Sequence, residues 1–289
     1  MNNLSPQGPT LTDAGIDPTT AVEAVDEFRN VRKLHIADER PLTIYVDSYE
    51  IVTLMTLGKT PELLTLGYLK NQGIVTDLNE IRAVQVDWEV NAAAVTTWSE
   101  RDDWKARLGP RIVTTGCGQG TVYGDILEQI NRIELPEMRL RQSDIYALLK
   151  NLAHYNDVYK SAGAVHGCAL CTGTDVSVFI EDVGRHNAVD AIAGQMWLEG
   201  TAGHDKLFYT TGRLTSEMVM KVAQMGIPAL LSRSGITQMG LKLAKDFGVT
   251  LFSRAKGTHF LVYNGAEHIE FDVSLPPKRA VANLKETSF

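Results

Sequence analysis

Phe179-Ile-Glu-Asp-Val-Gly-Arg-His-Asn-Ala-Val-Asp190 is the stretch from which the rest of the chain is read. Val176 to Ile180 is rich in β-formers, Gly184 permits a sharp reversal, and Val189, Ile192, Ala193 and Met196 recur at helical spacing. The stretch is therefore a strand, a turn and the start of a helix. Two acids, Arg185, His186 and Asn187 crowd the junction. An α/β protein presents a ligand site in this way, because the free N–H groups of a helix N-terminus converge there.

The residues that follow repeat the theme. Leu207-Phe-Tyr-Thr210 ends at Thr211-Gly212-Arg213 before a helix from Ser216 with Met218, Val219, Val222 and Met225 on one face and Gly226 as its stop. Ile227-Pro-Ala-Leu-Leu-Ser232 ends at Arg233-Ser234-Gly235, and a helix from Thr237 to Phe247 closes at Gly248. Val249-Thr-Leu-Phe-Ser253 then runs into Arg254-Ala-Lys256-Gly257, and Phe260 to Tyr263 is a last strand. Alternating strands and helices predict an α/β fold: a mixed, largely parallel sheet with helices on both faces. On that reading the segments after Ile180, Thr210, Ser232 and Ser253 leave one edge together, carrying Arg185, Arg213, Arg233, and Arg254 with Lys256. Cations on glycine-bearing loops beyond strand ends suit a multiply charged anion, a nucleotide-like ligand above all. The plainer reading leaves these cations solvated or paired with Glu181, Asp182, Glu217 and Asp246.

Upstream, Ala164 to Leu170 and Val176 to Ile180 flank Thr172-Gly173-Thr174-Asp175, a hairpin signal, and Gln142 to Tyr159 reads as one helix with Ser143 as its cap. The N-terminal part predicts a smaller α+β subdomain. Leu42 to Val46 and Glu50 to Met55 form a hairpin around Asp47-Ser-Tyr49, Thr60-Pro61-Glu62 opens a helix through Lys70, and Ile81 to Val86 is a strand. Ala93 to Trp98 fits either element type, and Asp102, Asp103, Lys105 and Arg107 mark a solvated connection. The expected division is a loose tail over 1–38, the subdomain over 39–110, an α/β core over 111–270 and a polar tail over 271–289.

Arg111-Ile-Val-Thr-Thr-Gly-Cys117-Gly-Gln-Gly120 passes from a short strand to a loop in which three glycines flank one thiol. Free cysteine is usually buried, so a thiol with so little bulk around it points to chemistry. The chain of 289 residues has a formal net charge of -7, which gives no global basic field for nucleic acid or an anionic membrane, so any anion site is local. No apolar run approaches the roughly 20 residues of a membrane span, and Met1 to Thr20 lacks the pattern of a secretory signal, so a cytoplasmic location is expected. Three cysteines make no disulfide scaffold.

His166-Gly-Cys168-Ala-Leu-Cys171 suggests half a zinc site or a redox pair. A zinc deaminase needs His-x-Glu, and the residue two after His166 is Cys168. Alternation along a strand also sends neighbouring side chains to opposite faces, which favours inert buried thiols. His186 is a candidate acid or base, or a structural group at a helix start.

Taken together, Glu181-Asp-Val-Gly-Arg-His-Asn-Ala-Val-Asp190, Gly212-Arg-Leu-Thr-Ser-Glu-Met218, Gly226-Ile-Pro228, Ser232-Arg-Ser234 and Thr115-Gly-Cys-Gly118 resemble the formate dehydrogenase accessory sulfurtransferase family, FdhD. Pro41-Leu-Thr43 and Leu66-Gly-Tyr-Leu69 are also similar, and the likeness runs from Glu39 to Tyr263. The resemblance implies a cytidine-deaminase-like fold without deaminase chemistry, and a homodimer. It implies a sulfurtransferase that takes sulfur from a cysteine desulfurase as a Cys117 persulfide. The sulfur then passes to the molybdenum or tungsten bis(pyranopterin guanine dinucleotide) cofactor, Mo-bis(molybdopterin guanine dinucleotide), of formate dehydrogenase. No tightly bound metal of its own is expected. Phe252, Ser253, Arg254, Ala255, Lys256 and Gly257 match the family's cofactor-contacting segment, with Arg185, His186, Arg213 and Arg233 holding or shaping the site. Many members carry a second cysteine where this chain has Gly120, which leaves a one-cysteine carrier or a resolving role for Cys168 or Cys171. The rival readings are a nucleotide- or cofactor-binding chaperone that carries no sulfur, and a zinc hydrolase using His166, Cys168 and Cys171.

Overall fold

The computed structural model describes residues 8–99 and 133–274. Cys117, its glycine loop, the short strand expected from Arg111 and the connection carrying Asp102, Asp103, Lys105 and Arg107 lie outside them. In chain order the first strands are β1 (Thr10–Leu11), β2 (Thr19–Val25), β3 (Val31–Ala37), β4 (Arg40–Val46) and β5 (Tyr49–Thr56). Helix α1 (Pro61–Asn71) precedes β6 (Ile81–Asp87) and β7 (Ala92–Thr97). A five-stranded sheet of order β1-β6-β7-β4-β5 results. Leu42, Ile44 and Val46 alternate into its core, and Asp47 and Ser48 turn the hairpin with both φ values positive, 45° and 76°.

β2 and β3 form an antiparallel ribbon within the segment read from sequence as a loose tail. Nearly all of its side chains are exposed, so the buried-face alternation that marks a strand is missing from its sequence.

Beyond β8 (Leu140–Arg141), the segment expected as one helix is two, α2 (Gln142–Leu152) and α3 (Asp157–Ala162). Asn156 breaks the run: its side-chain amide donates to Leu152 O, and the chain turns there. Asp272, rather than Ser143, supplies the acceptors at the start of α2, taking hydrogen bonds from the Ser143 amide and hydroxyl. Next come β9 (His166–Thr172), β10 (Asp175–Asp182), α4 (Arg185–Glu199), β11 (Leu207–Thr210), α5 (Ser216–Gln224), β12 (Ala229–Ser232), α6 (Gln238–Asp246), β13 (Thr250–Lys256), β14 (His259–Asn264) and β15 (Ile269–Glu270).

The main sheet has the order β10-β9-β11-β12-β13-β14. It is mixed, and the expectation of a largely parallel sheet is corrected: only β11–β12 and β12–β13 pair parallel, while β10–β9, β9–β11 and β13–β14 are antiparallel. Tight turns at Gly173 and Gly257 return the chain beside itself, whereas a parallel neighbour needs a helical crossover. Two antiparallel steps nevertheless give β10 the direction of β11, β12 and β13. Their carboxyl ends, and the start of β9, therefore share one edge.

Alternate side chains divide two cores. Cys168, Leu170, Phe208, Leu230 and Leu251 face a core with α1, α4, α5 and α6 that continues into the five-stranded sheet. Ala169, Cys171, Tyr209, Leu231 and Phe252 face α2 on the other side. Helix α1 is buried on nearly every side. It crosses α4 so closely that a methyl group at Gly67 would lie 1.6 Å from Asp190 O, and one at Gly194 would lie 2.0 Å from Leu63 O.

Candidate anion-binding edge

The loops at the shared edge are hooked to one another. Arg233 N donates to Thr210 O at 3.1 Å, Arg254 N to Ser234 O at 3.0 Å and Thr211 N to Gly167 O at 2.9 Å. Ser232 Oγ donates to Gly212 O at 2.7 Å and accepts from Ser234 N at 2.9 Å. Each loop thus fixes the next, which is the preorganisation a ligand site requires.

The acids of the opening stretch are engaged elsewhere. Glu181 accepts the Val158 and Tyr159 amides, both at 2.9 Å, and so caps α3 from β10. Asp182 accepts from Thr56 Oγ1, the Leu57 and Gly184 amides and the Asn187 side chain, and ties β5 to the edge. Burial raises its pKa, with those hydrogen bonds opposing. Asn187 also donates to Met55 O at 2.6 Å.

Beneath the edge lies a buried polar network. Lys221 Nζ is 2.8 Å from Asp190 Oδ2 and 3.6 Å from Glu217 Oε1, and Asn71 donates to Asp190 Oδ1 at 2.7 Å. Burial depresses the Lys221 pKa most strongly, yet Asp190 and Glu217 together carry it above the usual lysine value. His186 Nε2 is 3.3 Å from Glu217 Oε2 but is not aligned as a hydrogen bond. Burial, then Lys221, Arg185, His166 and Arg213, push the His186 pKa down to about 2, so its ring is neutral.

Two cavities open at the edge. One, of about 790 Å³, has an apolar wall of Leu149, Leu152, Tyr209 and Ala255 with Tyr146, and cationic groups from Lys150, Arg233 and Lys256. That size falls in the range of small-molecule clefts. The other, of about 340 Å³, is formed by Tyr159, His166, Thr211 and Ser234, and shares Asn156 and Arg233 with the first. Burial raises the Tyr209 pKa to about 12, partly offset by the nearby Arg233 guanidinium.

Of the residues singled out from sequence, Arg233, Ala255, Lys256 and Gly257 meet on the larger cavity. Arg185 is buried under Gly212, where a Cβ would come within 2.7 Å of its Cδ. Arg213 is exposed beside it, and both act on His166. Arg254 is exposed, with a left-handed φ of 52° where the β13–β14 register shifts. Phe252, Ser253 and His186 are interior and line neither cavity; Phe252 packs edge-on against Phe260. His166, Asn156 and Thr211 had no place among the anion-site residues read from sequence. The pairing of His166 with Asp182, which puts His166 at the edge, was the available signal.

Cys168 and Cys171 are fully buried on opposite faces of β9, so His166, Cys168 and Cys171 do not converge on one ion and the two thiols do not face each other. Cys168 Sγ lies 3.3 Å from Thr210 Oγ1. Burial pushes both thiols up to about 12, which removes the thiolate that a sulfur relay needs.

Fold and edge together describe a mixed α/β protein with a cationic cleft at the carboxyl ends of β11, β12 and β13. The FdhD/NarQ family model matches residues 37–270, and the chain belongs to that family. It is 31% identical over 238 residues to the sulfur carrier protein FdhD of Listeria monocytogenes serotype 4b, covering 81% of this chain and 91% of that protein. It is 27% identical over 263 residues to the protein of the same name from Bacillus subtilis, covering 88% and 98%. A crystal structure described as a formate dehydrogenase accessory protein from Desulfotalea psychrophila superposes with a TM-score of 0.69 at 29% identity, covering 89% of this chain and 100% of that one.

Proposed function

We propose that the chain is a sulfur carrier and sulfurtransferase serving formate dehydrogenase. Cys117 attacks the terminal sulfur of a cysteine desulfurase persulfide; the donor S–S bond breaks, the donor cysteine leaves as thiolate, and Cys117 becomes the persulfide. The substrate that receives this sulfur is the client's molybdenum or tungsten bis(pyranopterin guanine dinucleotide). Its diphosphates suit Arg233 and Lys256, and the apolar wall of Leu149, Leu152 and Tyr209 suits a flat ring system. The chain's own contribution is to position: rigid loops hold cations where the anionic substrate docks. A cytoplasmic homodimer completes the proposal. Among the described residues no helix is long and apolar enough to cross a membrane.

The observation that carries this reading is a family match over most of the chain together with the cationic cleft. In a host lacking its own carrier, the wild-type chain is expected to restore formate dehydrogenase activity and Cys117→Ala to leave it at background. Full restoration by Cys117→Ala would favour the chaperone that carries no sulfur.

A further inference from the structure

The ribbon of β2 and β3 lies ahead of residues 37–270, which the family model matches, and lines neither cavity of the edge. Its register sorts the side chains. Thr20, Val22 and Ala24 pair with Ile36, Leu34 and Arg32 on one face, and Ala21, Glu23 and Val25 pair with His35, Lys33 and Val31 on the other. The second face is anchored at its base, where Ala37 packs against Leu57, Val158 and Val165. The first face is mostly aliphatic and points away from that anchor: Leu34 is 47% and Ile36 49% exposed. The tip is a built turn. Asp26 accepts the Phe28 and Asn30 amides at 3.0 and 2.9 Å, its own amide donates to Asn30 O at 3.0 Å, and Arg29 takes a left-handed φ of 66°. Phe28 is thereby held out with 76% of its surface exposed, next to the exposed Val25–Val31 pair.

A two-stranded ribbon with a bare aliphatic face is marginal in water and needs a further surface against that face. Charge selects the surface. The chain carries -7, so two copies repel each other over most approaches. The ribbon is balanced instead: Glu23, Asp26 and Glu27 lie on β2 and the start of the turn, whereas Arg29, Arg32 and Lys33 lie on the end of the turn and β3. Turning one copy through a half-circle about the long axis of the ribbon sets each acidic strand over the basic strand of the other copy. Leu34 then lies over Val22 of the other copy, and the two Phe28 tips meet. Val25, Phe28, Val31, Leu34 and Ile36 are each about half to three-quarters exposed. Over two copies they offer on the order of 1,000 Å² of apolar surface, the area that a specific interface needs.

We propose that the β2–β3 ribbon is a dimerisation arm whose aliphatic face is covered by the same face of a second copy, β2 of each lying over β3 of the other. The inference gives a surface to the homodimer of the proposed function and involves no sulfur step.

Sedimentation velocity of the full-length protein at micromolar concentration tests it. The wild type is expected to sediment as a dimer. Leu34→Asp, which puts a carboxylate between the stacked faces, weakens dimerisation by at least about a hundredfold, while Lys33→Gln on the opposite face stays within about threefold of the wild type. A wild type that sediments as a monomer, or a Leu34→Asp variant as dimeric as the wild type, overturns the proposal and leaves the Cys117 experiment untouched. If Leu34→Asp does not fold, cross-linking decides. Val22→Cys and Leu34→Cys are placed in separate chains that also carry Cys117→Ser, mixed, and oxidised with glutathione disulfide. A disulfide joining the two different chains supports the stack, and its absence overturns it.

Discussion

His186 is neutral because of where it is, not because of what it touches. Burial and four cationic or basic neighbours push its pKa down to about 2 from an ordinary 6.5. Below about 6.5 the unfolded chain takes up a proton at this position that the folded chain refuses, so stability falls as pH drops toward 2. Asp182 and Glu217 act in the opposite sense: burial raises both, the folded state binds their protons more readily, and part of the acid loss is offset. The wild type is expected to lose up to about 1.4 kcal/mol per pH unit more than His186→Gln between pH 6 and pH 4, read from urea midpoints. Parallel stability curves for the two proteins would contradict the neutral assignment. The sequence shows Glu181, Asp182, Arg185 and His186 side by side, and that much of the site was legible. It does not show that Glu181 caps α3, because that depends on a break at Asn156 that helical periodicity runs straight through.

The elements that fix the edge depend on the crossing of α1 and α4. Removing a glycine from a helix interior ordinarily helps by about 1 kcal/mol. At Gly67 the added methyl would lie 1.6 Å from the Asp190 carbonyl, and the backbone there has nowhere to move. The steric cost wins, and Gly67→Ala is expected to destabilise by about 3 kcal/mol in urea unfolding, whereas a stabilised variant would contradict the packing. The limits of α1 were legible from Pro61 and Gly73, but its burial on nearly every side was not, since an all-round apolar helix declares no face. The hairpins β4–β5 and β9–β10 were legible from their turns. The insertion of β9 between β10 and β11 was not, because no local signal says on which side of a hairpin the next strand will pair.

At the scale of the molecule, a chain of net charge -7 gathers Arg185, Arg213, Arg233, Arg254 and Lys256 along one edge of a mixed sheet. That gathering was legible, since β10, β11, β12 and β13 run the same way even though most of the sheet's pairings are antiparallel. The division of the edge into two cavities was not, because Asn156 and His166 reach it from outside the strand–helix repeats. With Cys168 and Cys171 enclosed as un-ionised thiols on opposite faces of β9, the proposed sulfur chemistry falls to Cys117 alone. The most direct test is intact-protein mass after incubation with a cysteine desulfurase and cysteine, followed by reduction. The wild type and a Cys168→Ala, Cys171→Ala double variant are expected to gain one sulfur atom that reductant removes, and Cys117→Ala to gain none; a reducible sulfur on Cys117→Ala, or none on the wild type, would contradict the sulfur-carrier reading.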